Sequence, residues 1–157
     1  TITALIRTLI GIIPAVLLTA PFFGVSLLSL GPPLILLFLS LYFFGMTLGL
    51  LVVSGLLKYG PAFENVAWSS LFLLAPLGCI YYPLSILPDW LQIIAKTLPL
   101  VYIFEEVRSI LLNNVVNYSN IMTALTLNLI YFTSAVIIFY AAFNAARKRG
   151  TLVNIGE

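Results

Sequence analysis

The chain has 157 residues, of which 62% are hydrophobic and 8% are charged, and its net charge is +2. A soluble domain carries about 25% charged residues, so this chain has too few charges to cover a water-facing surface. The apolar runs are continuous rather than alternating, which predicts membrane-spanning helices and not the strands of a barrel. The sequence has no histidine and one cysteine, which excludes histidine-based catalysis, histidine metal sites and an internal disulfide framework.

Four apolar runs are predicted to cross the membrane. A helix rises about 1.5 Å per residue, so about 20 residues cross a hydrocarbon core of about 30 Å. The predicted spans cover residues 8–30, 34–57, 66–82 and 121–146. We therefore expect an all-α polytopic bundle that forms a single transmembrane domain over 1–157. The chain starts without methionine and enters apolar sequence at once, so we expect the C-terminal part of a longer protein.

The second predicted span carries a GxxxG pattern made by Gly45 and Gly49. Glycines four residues apart allow another helix to approach the backbone closely. The pattern is compatible with dimerisation between two chains or with packing inside one bundle, and the second use is the commoner one.

Basic residues at the ends of the spans predict the orientation of the chain. Arg7 precedes the first span, Lys58 follows the second, and a basic run over 147–149 follows the last. Basic residues near span ends favour the cytoplasm. If the run over 147–149 is cytoplasmic, then Arg7 and Lys58 are cytoplasmic as well. This arrangement places both ends of the chain inside and the segment after the third span outside. It also assigns the basic residues to the membrane rather than to a nucleic acid.

A proline-broken segment over 83–116 separates the last two spans. Pro83, Pro88 and Pro99 divide it into short pieces, because proline removes a backbone donor and disfavours helix just before it. The pieces are amphipathic and hold several charges. Such a segment between apolar runs predicts a re-entrant or interfacial helical hairpin on the extracellular side.

Glu105 and Arg108 are the first candidates for a function in this hairpin. They are i,i+3 neighbours in a helix and can form an ion pair, as a gate or as a structural pair. Glu106 is expected to face water. Trp90 and Tyr102 fit the aromatic belt of a membrane interface, and Asp89 is expected to be a helix N-cap.

Polar side chains inside the last predicted span have a second potential role. They usually bond to a neighbouring helix, and contact with a substrate is the less frequent alternative. These residues are Thr126, Asn128, Thr133 and Ser134.

The hairpin motifs resemble the permease subunit of type 2 ABC transporters, a family of exporters. The resemblance rests on Tyr82-Pro83, Leu87-Pro88-Asp89-Trp90-Leu91-Gln92 and Pro99-Leu100-Val101-Tyr102. Pro76 and Gly78 before these motifs, and Glu105 and Arg108 after them, also match the family pattern. The specific part of the match is about forty residues, although the pattern of spans covers most of the chain.

The resemblance implies a permease in the plasma membrane with a cytoplasmic C-terminus. Its partners would be a separate ATP-binding subunit, a second permease copy and membrane lipid. The pathway would export a drug, a polysaccharide or a lipid-linked molecule, and the hairpin would gate its outer end. The chain shows no glycine-rich phosphate loop, so we expect neither enzyme activity nor a cofactor in this subunit.

Two alternatives remain open. An unrelated secondary transporter would need inverted repeats or an ion site at the membrane midplane, and neither is visible in the sequence. A lipid-acting membrane enzyme, or another integral membrane protein, would be a further alternative. An enzyme would need a nucleophile, but the only cysteine, Cys79, lies in an apolar run.

Overall fold

The computed structural model describes residues 32–113 and 115–149, together with positions 3, 6 and 10. The chain divides into two units, Thr1–Leu36 and Leu37–Glu157, and the contacts below lie in the second. The described residues form helices and no strands, which confirms the all-α class. The helices are α1 (Pro32–Tyr59), α2 (Phe63–Leu77), a 3-10 turn (Leu84–Ile86), α3 (Asp89–Ala95), α4 (Pro99–Asn113) and α5 (Tyr118–Arg149).

Two of these helices are long and apolar enough to cross a membrane. Ile35–Tyr59 has 25 residues and Tyr118–Lys148 has 31. They coincide with the predicted spans over 34–57 and 121–146. Helices of this length exceed the span of a hydrocarbon core of about 30 Å.

The predicted span over 66–82 needs correction. Helix α2 has 15 residues and is about 22 Å long at the standard helical rise, which is shorter than the hydrocarbon core. It ends at Leu77, because Pro76 weakens the last turn by removing one helical hydrogen bond and Cys79 has a left-handed backbone conformation with a φ of 54°. Within the described residues there are therefore two candidate spans and not four. The predicted span over 8–30 lies outside the described residues except for position 10.

Helices α1 and α5 lie side by side and run in the same direction. Ser40 is bonded to Asn128, and Phe43 packs edge-on against Phe132 at a centroid distance of 5.6 Å. Further along, the end of α1 and the alanine-rich end of α5 line a common cavity. Because the contacts follow the same order along both helices, the two C-terminal ends lie together. The tertiary structure thus brings Lys58 to the same end as Arg147 and Lys148.

Helix α2 runs back along α1 in the opposite direction. The ring of its first residue, Phe63, lies against Gly55 of α1, and the two helices line a small apolar cavity that includes Leu74 of α2 and Leu48 of α1. Gly60 allows this reversal because its φ is +76°, a backbone conformation that glycine adopts at little cost. The far end of α2 therefore lies away from Lys58, and the proline-broken segment begins there.

The three prolines of that segment lie at the starts of its short helices. Pro83 precedes the 3-10 turn, Pro88 precedes α3, and Pro99 is the first residue of α4. Proline suits a helix start, where its missing donor would have no helical partner. Cys79, Ala95 and Val101 form a small buried core between these pieces, and α4 packs against α5.

Gly45 and Gly49 make no close contact in the described part of the chain. A Cβ built at either position would have no heavy atom within 4 Å. The predicted helix contact at this pattern therefore has no partner among the described residues, and it remains a prediction for a helix beyond them.

Candidate functional site

A tight chain reversal follows α2. Gly78 donates its N–H to the carbonyl of Leu74 at 2.8 Å, and Cys79 has a φ of 54°. A non-glycine residue in this left-handed region costs free energy, so the surrounding contacts must hold it. A Cβ on Gly78 would lie 3.0 Å from Leu100, which shows how closely α4 approaches the reversal.

Glu105 and Arg108 of α4 hold both ends of this reversal. Oε1 of Glu105 accepts the backbone N–H of Leu84 at 2.8 Å and Nη1 of Arg108 at 2.7 Å. Nη2 of Arg108 donates to the carbonyl of Cys79 at 3.1 Å. We call this four-residue network the Glu105–Arg108 clamp. The predicted ion pair is present, and its additional bonds are to backbone groups from another part of the chain.

The backbone bonds are the stronger part of the clamp. Its two side chains are 24% and 31% exposed, and an ion pair in contact with solvent contributes about 0–1 kcal/mol. A hydrogen bond to a charged group contributes about 1.5–3 kcal/mol. The clamp therefore stabilises the position of the 79–84 reversal against α4 mainly through its hydrogen bonds to the backbone, and less through the ion pair itself.

Cys79 lies at the centre of the reversal and is fully buried. Burial raises the pKa of its thiol, the Glu105 carboxylate raises it further, and the Arg108 guanidinium partly opposes this. The thiol is therefore protonated at neutral pH, whereas a nucleophile or a metal ligand needs the thiolate.

The expectation that Glu106 faces water is wrong. Its side chain is fully buried, and its carboxylate accepts the backbone N–H of Asn117 at 2.6 Å and Nδ2 of Asn120 at 3.1 Å. Asn117 in turn accepts the N–H of Ser119 at 3.1 Å. The N-terminus of α5 is thus capped twice, and a carboxylate there also meets the positive end of the helix dipole.

A sequence signal for this cap was present. Asn117 precedes a long apolar helix in the position of an N-cap, but its first turn contains no Glu or Gln to complete a capping box. The missing acceptor comes from Glu106, which is eleven residues earlier and on another helix. Capping rules that consider only neighbouring residues could not have predicted this acceptor.

Asn128 connects the two candidate spans. Its Nδ2 donates to the carbonyl of Ser40 at 2.9 Å and to Oγ of Ser40 at 2.6 Å. Its Oδ1 is buried without a hydrogen-bond partner among the described residues. The expected interhelical bond is therefore confirmed for Asn128. It is wrong for Thr126, Thr133 and Ser134, whose hydroxyls donate to carbonyls of their own helix.

The remaining predicted hairpin residues lie around the clamp. Trp90 is 64% exposed on α3, Pro88 is exposed, and Pro83 and Tyr102 are half-buried, whereas Pro99 is buried. Asp89 is the first residue of α3 and makes no side-chain cap, which corrects its expected role as N-cap. Exposed Trp90 and the neighbouring Ile93 and Ile94 give α3 an apolar outer face.

Within the described ranges, no three Cys, Asp or Glu side chains come together in the way metal ligands do. The charged side chains of α4 bond to one another and to backbone and amide groups of the neighbouring segments, an arrangement suited to positioning. No family model, curated protein or solved structure matches the chain.

Proposed function

We propose that this chain is the membrane-spanning permease subunit of an ATP-driven exporter, and that its hairpin gates the outer end of the transport pathway. The observation that carries the proposal is the Glu105–Arg108 clamp. It fastens a proline-broken reversal to α4, and α4 is fastened by Glu106 to the N-terminus of α5. A movement of α5 would therefore be transmitted to the reversal.

The distribution of charge supports an orientation with the hairpin outside. Lys58, Arg147 and Lys148 lie together at the end of the parallel pair α1 and α5, and the hairpin lies at the other end. Basic residues favour the cytoplasmic side. We place the C-terminus in the cytoplasm of a cell whose plasma membrane is crossed by α1 and α5.

In this proposal, the length of helix α2 determines how deep in the membrane the hairpin begins. It starts at the cytoplasmic end and exposes large apolar side chains, among them Trp68, Phe72 and Leu73, which suit contact with lipid or with another span. Because α2 is too short to cross alone, the reversal after Leu77 would lie within the outer leaflet. Irregular backbone at such depth needs internal hydrogen bonds, and the clamp supplies them. If the predicted span over 8–30 also crosses, the chain would have three full crossings and one partial crossing.

Transport would follow alternating access between two permease copies. Two separate ATP-binding subunits would drive the helices, and the chain itself would catalyse no covalent step. A Cβ at Gly45 or Gly49 would meet no atom of the described residues within 4 Å, which supports a further helix at this face, from the second copy or from the rest of the protein.

Co-expression of the full-length protein with ATP-binding ABC subunits encoded beside it tests the proposal. We expect a stable complex after detergent extraction, with ATPase activity that rises when the complex is reconstituted in lipid. A chain that co-purifies with none of these subunits, yet is folded and membrane-inserted, would contradict the proposal.

A secondary transporter is the second candidate, and the buried Asn128 supports it. A polar group without a partner inside a membrane span is a feature of substrate or ion sites near the midplane. Proteoliposomes containing the protein without any ATPase separate the candidates, because only the secondary transporter would move solute when an ion gradient is imposed.

A further inference from the structure

A cavity of about 530 Å³ lies between the C-terminal halves of α1 and α5. Its wall is mostly apolar, with Leu51 on α1 and Ile138 on α5 at the end away from Lys58. Helix α5 contributes four alanines at positions where a packed helix usually has larger side chains. The cavity exists because these side chains are short. They are Ala141, Ala142, Ala145 and Ala146.

One side of the cavity is closed by Phe63, the first residue of α2. Its ring lies against Gly55 so closely that a Cβ there would collide with it. From Leu51 to Lys58 the cavity extends about 10 Å along α1 at the standard helical rise. It is therefore a short slot between two helices, closed by an aromatic ring on one side.

The open end of the slot is basic. Lys58 lies in the last turn of α1 and forms part of the lining. Arg147 and Lys148 are exposed and directly follow Ala146, the last lining residue of α5. Glu64 is the acidic residue in the adjoining first turn of α2, so positive charge exceeds negative charge here. Basic side chains also stabilise helix C-termini, but that role needs no apolar slot beneath them.

We propose that this slot binds an acyl chain of an anionic phospholipid of the cytoplasmic leaflet, with the lipid phosphate paired to Lys58 and to the basic residues that end α5. The inference rests on the membrane placement of α1 and α5 in the proposed function, but not on transport or on an ATP-binding partner. A basic rim above an apolar slot matches the two parts of such a lipid, a negative headgroup and a hydrocarbon chain. A docking helix from another protein would match the apolar wall alone.

The proposal is tested by titrating the full-length protein in detergent with phosphatidylglycerol or with phosphatidylcholine. The readout is thermal unfolding, because a ligand that binds the folded state raises the melting temperature. We expect phosphatidylglycerol to bind more tightly. Lys58→Gln should weaken its apparent affinity about five-fold, the equivalent of about 1 kcal/mol for one basic side chain near an anionic surface. The matched control is Lys96→Gln, which removes an exposed lysine from the hairpin and should change nothing.

A second variant tests the slot independently of charge. Ala142→Phe would fill it, and the stabilisation by phosphatidylglycerol should be lost while the helical circular dichroism and the elution volume stay as in the wild type. Water-soluble glycerol phosphate should not compete, because it has no acyl chain. Equal affinities for both lipids, equal effects of the two lysine variants, or undiminished lipid binding by a folded Ala142→Phe protein would overturn the proposal. The last result would show that the lipid binds outside the slot. None of these readouts depends on co-purification of an ATPase, so the two proposals fail separately.

Discussion

The carboxylate of Glu105 accepts the backbone N–H of Leu84 at 2.8 Å, across twenty-one positions of the chain. This bond joins the middle of α4 to the start of the 3-10 turn. At the other end of the reversal, the guanidinium of Arg108 donates a hydrogen bond to the carbonyl of Cys79. A backbone segment with few regular hydrogen bonds is thereby held by one ion pair. Four predictions follow from this clamp and from the two other polar contacts that connect helices.

Glu105→Ala should lower export without preventing assembly of the protein in the membrane. The substitution removes the acceptor of Leu84 and the partner of Arg108, and we expect a loss of about 1–2 kcal/mol after allowance for the partial exposure of the site. Substrate efflux from cells and unfolding by denaturant in detergent measure the two effects. Glu64→Gln, at the opposite end of α2, is the control. Wild-type efflux in Glu105→Ala would contradict a gating role for the clamp.

Arg108→Lys should loosen the reversal although the charge is retained. The arginine fork contacts Glu105 and Cys79 with two different nitrogens, whereas a lysine ammonium on a flexible stem does not reproduce this planar geometry. Cys79 is the only cysteine in the sequence, so its labelling by a maleimide reports on the reversal directly. We expect slow labelling in the wild type, and labelling several-fold faster in Arg108→Lys and faster still in Arg108→Ala. Unchanged rates would show that other contacts hold the turn.

Glu106→Ala should destabilise the protein more than Glu105→Ala. The carboxylate of Glu106 is fully buried, and its loss leaves the N–H of Asn117 and the amide of Asn120 without their acceptor. Each unpaired polar group costs about 1–3 kcal/mol. Glu106→Gln keeps one acceptor oxygen and should cost less. Thermal unfolding of the two variants in the same detergent gives the order, and a smaller effect of Ala than of Gln would refute the capping role.

The Ser40–Asn128 contact should show a small positive coupling in a double-mutant cycle. Interhelical polar contacts inside membranes contribute about 0.6 kcal/mol on average, and here one oxygen of Asn128 has no partner among the described residues. Asn128→Leu, Ser40→Ala and the double variant are compared by unfolding in detergent. If the secondary-transport candidate is correct, Asn128→Leu will abolish solute movement with little change in stability. If the contact serves packing alone, each variant will lose transport only in proportion to its loss of stability.

The hairpin shows where sequence reasoning succeeded. Its prolines divide it into short pieces as predicted, since the loss of a backbone donor acts within a single turn, and the structure adds that they lie at the helix starts. The pairing of Glu105 with Arg108 was also predicted, because i,i+3 neighbours meet in any helix. The backbone partners of that pair, Leu84 and Cys79, were not predicted, because they come from a different segment.

The sequence by itself determined the all-α class, the two long apolar helices and the short pieces between prolines. These features depend on composition and on spacing within one or two helical turns. Only the tertiary structure decided that α4 holds the reversal after α2, that Glu106 is buried as a cap of α5, and that α1 and α5 run parallel with their basic ends together. Each of these depends on contacts between residues far apart in the chain, where burial and hydrogen bonding override the local preference of a side chain for water.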